Sequence, residues 1–204
     1  MIPYATRTGT LRNLRLMDEG GWRLLLNPFE DLSPTPFRYG FDNGAWRAHM
    51  TGMPFDVKAF ERGLERVGPG ADWIAAPDIV EGGLYSLAVS MSWLERLQKV
   101  NPLVLVPLQD GMTPDDVRPA LDAGAGLFLG GSTEWKEASM PVWGALCASV
   151  GAYFHVGRVN TGRRIALANA AGAHSFDGTS ASRFAKTIPM LTSATRQPDL
   201  WSPR

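Results

Sequence analysis

Short apolar runs alternate along this chain with segments in which apolar residues return every three or four positions. The first kind reads as strands, at Ile2–Thr6, Trp22–Leu26, Phe37–Phe41, Trp73–Pro77, Leu103–Leu108, Gly126–Leu129, Tyr153–Val156 and His174–Phe176. Several are apolar at consecutive positions, as expected of strands covered on both faces. The second kind reads as helices. Asp56 stands at an N-cap position ahead of Val57, Phe60, Leu64 and Val67. Leu84, Leu87, Met91, Leu94 and Leu97 form a longer stripe. Thr113-Pro114-Asp115-Asp116 opens a third helix with its cap, N1 proline and acidic first turn in order.

Eight strands with helices after most of them predict an α/β fold, a compact (β/α)₈ TIM-like barrel. The barrel is expected over residues 1–191 as a single catalytic domain, followed by a loosely packed tail over 192–204. An open flavodoxin-like sheet is the alternative. Pro28, Pro34 and Pro36 exclude a helix over 27–36, so one outer helix should be a loop. Pro141 is expected to split Thr133–Val150 in two, with Ser139 capping the second part.

Charge changes this picture little. Twenty basic residues balance twenty acidic ones, so any nucleic-acid contact would have to come from a local cluster. The single cysteine, Cys147, excludes a disulfide within the chain and a cysteine-built zinc site, and it reads as core filler. Neither a metal nor a cofactor is expected. Met1–Arg7 lacks an apolar run behind a basic start, and no segment is long and apolar enough to cross a membrane, so a cytoplasmic location is expected.

The candidate chemistry collects at the carboxyl ends of the strands, where a parallel barrel places its functional groups. These ends read Phe41-Asp42-Asn43-Gly44, Ala76-Pro77-Asp78, Leu108-Gln109-Asp110-Gly111, Leu129-Gly130-Gly131-Ser132, Gly157-Arg158-Val159-Asn160 and Phe176-Asp177-Gly178-Thr179. Any one aspartate at such a place can be a turn or cap residue. Asp110 is expected to be one of those, since Thr113 already caps the following helix. Three acids converging with Gln109 point instead to chemistry, because crowded carboxylates repel. Gly130-Gly131 leaves backbone N–H groups free and lets a ligand approach closely, yet it fits neither a P-loop nor a dinucleotide fingerprint. Trp46 and Trp135 lie near this rim and could stack on a base. His49 and His174 read as surface or packing residues, and His155 lies inside a strand.

Taken together, these segments resemble the tRNA-guanine transglycosylase superfamily. Phe41-Asp42-Asn43-Gly44 is similar to its Asp-Ser-Gly-Gly segment, with Asn in place of Ser. Asp78 falls where the family has a second base-binding aspartate, Gln109 resembles its Val-Gln-Gly segment, and Gly130-Gly131 sits like its base-recognition loop. Gly172-Ala173-His174-Ser175-Phe176-Asp177 resembles the segment that ends in its nucleophile. The family's zinc site and its insertion are absent, and the short chain looks more like the phage and bacterial relatives that place 7-deazaguanines into DNA.

The resemblance implies a pentosyltransferase that replaces guanine in DNA or tRNA with a 7-deazaguanine such as 7-cyano-7-deazaguanine. Asp177 would be the nucleophile and Asp42 would handle protons. Asp78, Gln109, Asn43, Gly44, Gly130 and Gly131 would hold the base, Trp46 would stack on it, and Arg158 would contact the nucleic acid. Arg47, Lys136, Arg163, Arg164 and Arg183 could complete a phosphate cluster. The implied setting is a bacterial or phage-infected cell, with nucleic acid as partner and a homodimer or accessory subunit left open. A nucleoside hydrolase or glycosidase using two of the carboxylates, and a non-catalytic purine-binding barrel, are the rival readings.

Overall fold

The computed structural model describes residues 1–8 and 10–196. Eight parallel strands close into a barrel in chain order: β1 (Ile2–Thr6), β2 (Arg23–Leu26), β3 (Tyr39–Phe41), β4 (Ile74–Ala75), β5 (Val104–Leu108), β6 (Gly126–Leu129), β7 (Phe154–Val156) and β8 (Ser175–Asp177). Closure is made by β1 against β8, with Tyr4 opposite Asp177. This excludes the open sheet, and all eight expected strands are present, most of them trimmed by one to three residues. The trimming is greatest at β4, where the register with β3 reduces to Phe41 opposite Ile74.

Nine α-helices surround the barrel among the described residues: α1 (Leu11–Glu19), α2 (Ala45–Thr51), α3 (Val57–Val67), α4 (Gly83–Gln98), α5 (Pro114–Asp122), α6 (Thr133–Val150), α7 (Gly162–Ala170), α8 (Ser180–Arg183) and α9 (Ile188–Arg196). The connection from β2 to β3 is a loop, as its prolines require. Asp56 caps α3 by accepting from the Ala59 N–H at 2.9 Å. In α5, the Thr113 N–H donates to Asp116 Oδ2 at 2.8 Å.

Two local expectations fail. Helix α6 runs unbroken through Pro141, capped by Ser132 and not by Ser139. The missing N–H of Pro141 removes one hydrogen bond, but Met140, Trp143, Leu146 and Cys147 bury their side chains along the same helix and hold it together. Ser139 instead donates back to the Trp135 carbonyl at 2.7 Å. On α4, Leu84 is exposed, and Ser86 and Ser90 join Leu87, Leu94 and Leu97 on the buried face. At the end of the chain, α9 continues to Arg196 with Leu191 and Thr192 buried. The rest of the expected tail, 197–204, lies outside the described residues.

The core has two shells. Outside the barrel, strand and helix side chains form one continuous apolar layer that includes Phe41, Phe60, Trp143 and Phe176. Inside it, Tyr4, Leu25, Trp73, Ala75 and Leu105 pack with Phe128 and Tyr153. Trp73 fits because Gly40 opposite has no side chain: a Cβ there would stand 2.5 Å from the indole. No helix among the described residues is long and apolar enough to cross a membrane.

Candidate active site

The two-residue period of the strands builds the site. Tyr4, Leu25, Leu105, Phe128 and Ser175 point into the barrel, so the residues two positions further on tend to do the same at the mouth. Thr6, Asn27, Pro107, Gly130 and Asp177 follow this rule, and Gln109 is one step beyond Pro107. With Asp42 they line a cavity of about 610 Å³ at the carboxyl ends of the strands. All ten residues singled out as a candidate site (Asp42, Asn43, Gly44, Trp46, Asp78, Gln109, Gly130, Gly131, Arg158 and Asp177) lie on its wall.

Asp42 follows β3 and is fixed by its own N–H, which donates to the Leu26 carbonyl at 2.8 Å. Its Oδ2 accepts weakly from the Gly44 N–H at 3.4 Å, and the residue lines the cavity. Burial first, and then the negative charges of Asp177 and Asp78, push its pKa up to about 7. Gly44 turns the chain into α2 at φ 81°, and a side chain there would strike the Phe29 ring. Asn43 is a buried cross-link. Its Nδ2 donates to the Ala76 carbonyl at 2.6 Å and to Asp78 Oδ1 at 2.8 Å, while its Oδ1 accepts from the Ala45 N–H.

Asp78 is nearly enclosed. Gln109 Nε2 donates to its second oxygen at 2.6 Å. Burial raises its pKa to about 6, against the lowering effect of the Asn43 and Gln109 donors. Each carboxylate oxygen can still accept from a ligand, because it has more than one lone-pair direction. Gln109 spends its Oε1 on the N–H of Glu81, whose backbone takes φ 62°. Among the described residues, Arg158 is the other non-glycine residue in the left-handed region, at φ 58°. Both line the cavity, and such strain persists where surrounding structure enforces it.

Asp177 ends β8 and is held from two sides. The Arg158 N–H donates to Oδ1 at 3.2 Å, and His155 Nε2 lies 3.1 Å from Oδ2. The buried His155 is pushed toward neutrality by desolvation, so this contact is a hydrogen bond from a neutral imidazole more than an ion pair. With the proton on Nε2, Nδ1 accepts from Ser175 Oγ at 2.7 Å. Sequence reading passed over His155, although its parity with Tyr153 and Gly157 already aimed it inward. It passed over Asn27 as well, and named Asn160 at its strand end without giving it a role. Their oxygens accept from the Phe29 and Ser180 N–H groups at 3.0 Å, both residues line the cavity, and the Asn27 amide also lies beside the Glu30 carboxyl.

Other expectations separate here. Asp110 accepts from the Ser132 N–H at 2.6 Å and so ties the β5 and β6 loops together. Trp135 packs over Gly131 and does not line the cavity, whereas Trp46 does. The six-residue basic cluster does not form as one group. Arg163 and Arg164 pair with Glu137 at 2.6 and 2.8 Å. Lys136 is buried with its Nζ donating to the Gly157 carbonyl at 2.5 Å, and burial, then Arg158, lower its pKa to about 8. Only Arg47, Arg158 and Arg183 of the six line the cavity, and among the described residues no lysine does. Among the described residues, no three His, Cys, Asp or Glu side chains come together as a metal-holding group.

No protein-family model and no curated protein matches the chain. Solved structures do match in fold. A native KDPGal structure aligns with TM-score 0.60 and 15% identity over 96% of this chain and 94% of its own. An aldolase aligns with TM-score 0.58 and 13% identity over 93% and 94%. A mandelate oxidase with (S)-2-phenylpropionate aligns with TM-score 0.54 and 14% identity over 95% and 70%. The chain is similar to these in architecture.

The resemblance to the tRNA-guanine transglycosylases is thereby corrected, since the matching structures are of aldolase and oxidase type. The pentosyltransferase activity, the exchange of guanine for a 7-deazaguanine and the setting in DNA modification fall with it. The glycosidase alternative gains no support either. The physical reason is that acids, amides and glycines at successive strand ends are what the mouth of many (β/α)₈ barrels gathers. Short motifs of that kind report the fold before they report a reaction.

Proposed function

We propose that the cavity is the active site of an acid–base enzyme that makes or breaks a carbon–carbon bond beside a carbonyl group, an aldolase-type lyase working without a Schiff base. The observation that carries this reading is Asp42, a carboxyl facing the cavity with a pKa near 7. A group poised there gives and takes protons at neutral pH with little driving force lost either way. The aldolase-type structures among the fold neighbours are compatible with this chemistry, and the absence of a lysine from the cavity wall argues for a direct enolate in place of an imine.

In the cleavage direction Asp42 takes the proton of the substrate's β-hydroxyl. The oxygen's electrons form a carbonyl as the bond between the α- and β-carbons breaks. The released pair delocalises into the neighbouring carbonyl as an enolate, which then takes the proton back from Asp42 at the α-carbon. The Asn160 amide on the cavity wall, its oxygen fixed by the Ser180 N–H, supplies a donor for the enolate oxygen. Asp78 accepts from a substrate hydroxyl, and Asp177, anchored by His155, orients the reacting end. The buried, unpaired Cys147 fits a reducing compartment such as the cytoplasm.

The test is solvent exchange. Pyruvate, dihydroxyacetone and dihydroxyacetone phosphate are incubated with the protein in D₂O, and their α-protons are followed by NMR. Loss of the α-proton signal from at least one donor, abolished in Asp42→Asn, is the expected result. Retention of every α-proton with the wild-type protein overturns the reading.

A further inference from the structure

Three guanidinium groups, those of Arg47, Arg158 and Arg183, line the cavity without a carboxylate within ion-pair distance among the described residues. Their neighbours on the same rim behave differently: Arg163 and Arg164 share Glu137, and Arg7 pairs with Asp31 at 3.5 Å. Guanidinium groups that keep their N–H edges free of ion pairs in a concave site attract anions to that part of its wall.

The arginines are also preorganised. The Arg158 guanidinium lies 4.3 Å from the Trp46 ring centroid, and that of Arg47 lies 4.8 Å from the Phe29 centroid. Stacking fixes the plane of a guanidinium and leaves its N–H edge for an oxyanion. Arg158 follows β7 while Trp46 follows β3, four strands away in an eight-stranded barrel. Its side chain therefore crosses the mouth, tethered partway by a hydrogen bond to the Gly131 carbonyl. Below it Asp42, Asp78 and Asp177 make the inner wall acidic. An anionic group is thus held at the mouth and repelled from the depth, which gives a substrate one orientation.

We infer that Arg47, Arg158 and Arg183 form the subsite for the phosphoryl group of a phosphomonoester substrate. This rests on the cavity being an active site and names the class of molecule it takes. The arginines come from α2, from the loop after β7 and from α8, so they approach from different sides. A tetrahedral phosphoryl group offers oxygens in three outward directions, whereas a planar carboxylate offers two. The loops after β7 and β8 are also where barrels of this architecture frequently bind phosphate.

The experiment reads binding and not turnover. Isothermal titration calorimetry at constant ionic strength compares inorganic phosphate, acetate and a short single-stranded oligonucleotide on the full chain. Phosphate is expected to bind at one site per chain and acetate more weakly. Arg158→Met and Arg183→Met should each weaken phosphate by about tenfold, the scale of a lost charge-assisted hydrogen bond. Arg163→Met, outside the cavity, should leave it unchanged. Arg183 is exposed, so its variant gives a result even if Arg158→Met folds poorly. Absence of phosphate binding, equal affinity in all variants, or oligonucleotide binding that phosphate cannot displace overturns the proposal. Phosphate binding without any solvent exchange would leave this subsite standing and remove the lyase reading alone.

Discussion

His155 Nε2, fully buried inside the barrel, lies 3.1 Å from Oδ2 of Asp177 on the cavity wall. The two residues are 22 apart in the chain and meet because β7 and β8 are neighbours with His155 opposite Ser175. The imidazole spans from Ser175 to Asp177 along the barrel interior. One ring atom accepts, the other donates, and the cavity-facing carboxylate is held in one position.

Replacing His155 with Leu keeps much of the packing volume but leaves buried polar groups on Ser175 and Asp177 without their partner. The expected loss is about 2 kcal/mol of stability, the scale of an orphaned buried polar group. Urea denaturation at neutral pH measures it. A variant as stable as wild type would mean that Asp177 turns to water in the cavity.

Asp42 should show the opposite sign. Its folded pKa of about 7 lies above its ordinary value of 3.8, so the folded state holds a proton that the unfolded chain has released between those values. Stability therefore falls as pH rises through that window and levels off above about 7. Asp42→Asn removes the penalty. It should stabilise the protein by on the order of 2 kcal/mol at about pH 8, and by little at about pH 4. The same variant should abolish the solvent exchange, and wild-type exchange should rise as Asp42 ionises through pH of about 7. Denaturation at the two pH values, with a pH–rate profile, checks both halves.

With no lysine on the cavity wall, a carbonyl compound should form no imine in the site. Borohydride added with pyruvate or dihydroxyacetone phosphate is expected to leave the mass of the protein unchanged by mass spectrometry. A reduced adduct on Lys136 would show that its contact with the Gly157 carbonyl opens and that the chemistry uses the amine.

Gly144 on α6 packs directly on the backbone of Ala171, and a Cβ there would overlap the Ala171 carbonyl oxygen. Gly144→Ala ordinarily favours a helix by up to about 1 kcal/mol. Here backbone must move to admit the methyl, so a net loss of about 2 kcal/mol is expected. Thermal or urea unfolding decides which effect wins.

The chain's local physics explains why much of this was legible in advance. Ile2–Thr6 and Gly126–Leu129 read as strands with the bounds they have, and Asp56 and Thr113 mark helix starts through caps that act within four residues. Three prolines over 27–36 forbid a helix by their own stereochemistry. The same reasoning overreached at Pro141, where burial of the surrounding helix outweighed one missing hydrogen bond. It also overreached in turning short strand-end motifs into a family.

By itself, the sequence determined the strand and helix order and the set of polar residues at the carboxyl ends of the strands, because periodicity, caps and proline geometry act between near neighbours. Only the tertiary structure decided which groups at that mouth are free to act. It neutralised Arg163 and Arg164 on Glu137, buried Lys136, set His155 against Asp177, and raised the Asp42 pKa first by burying it and then by gathering three carboxylates from the ends of β3, β4 and β8 around one cavity. Those outcomes depend on distances between residues far apart in the chain and on how much water reaches them, and closing the barrel sets both.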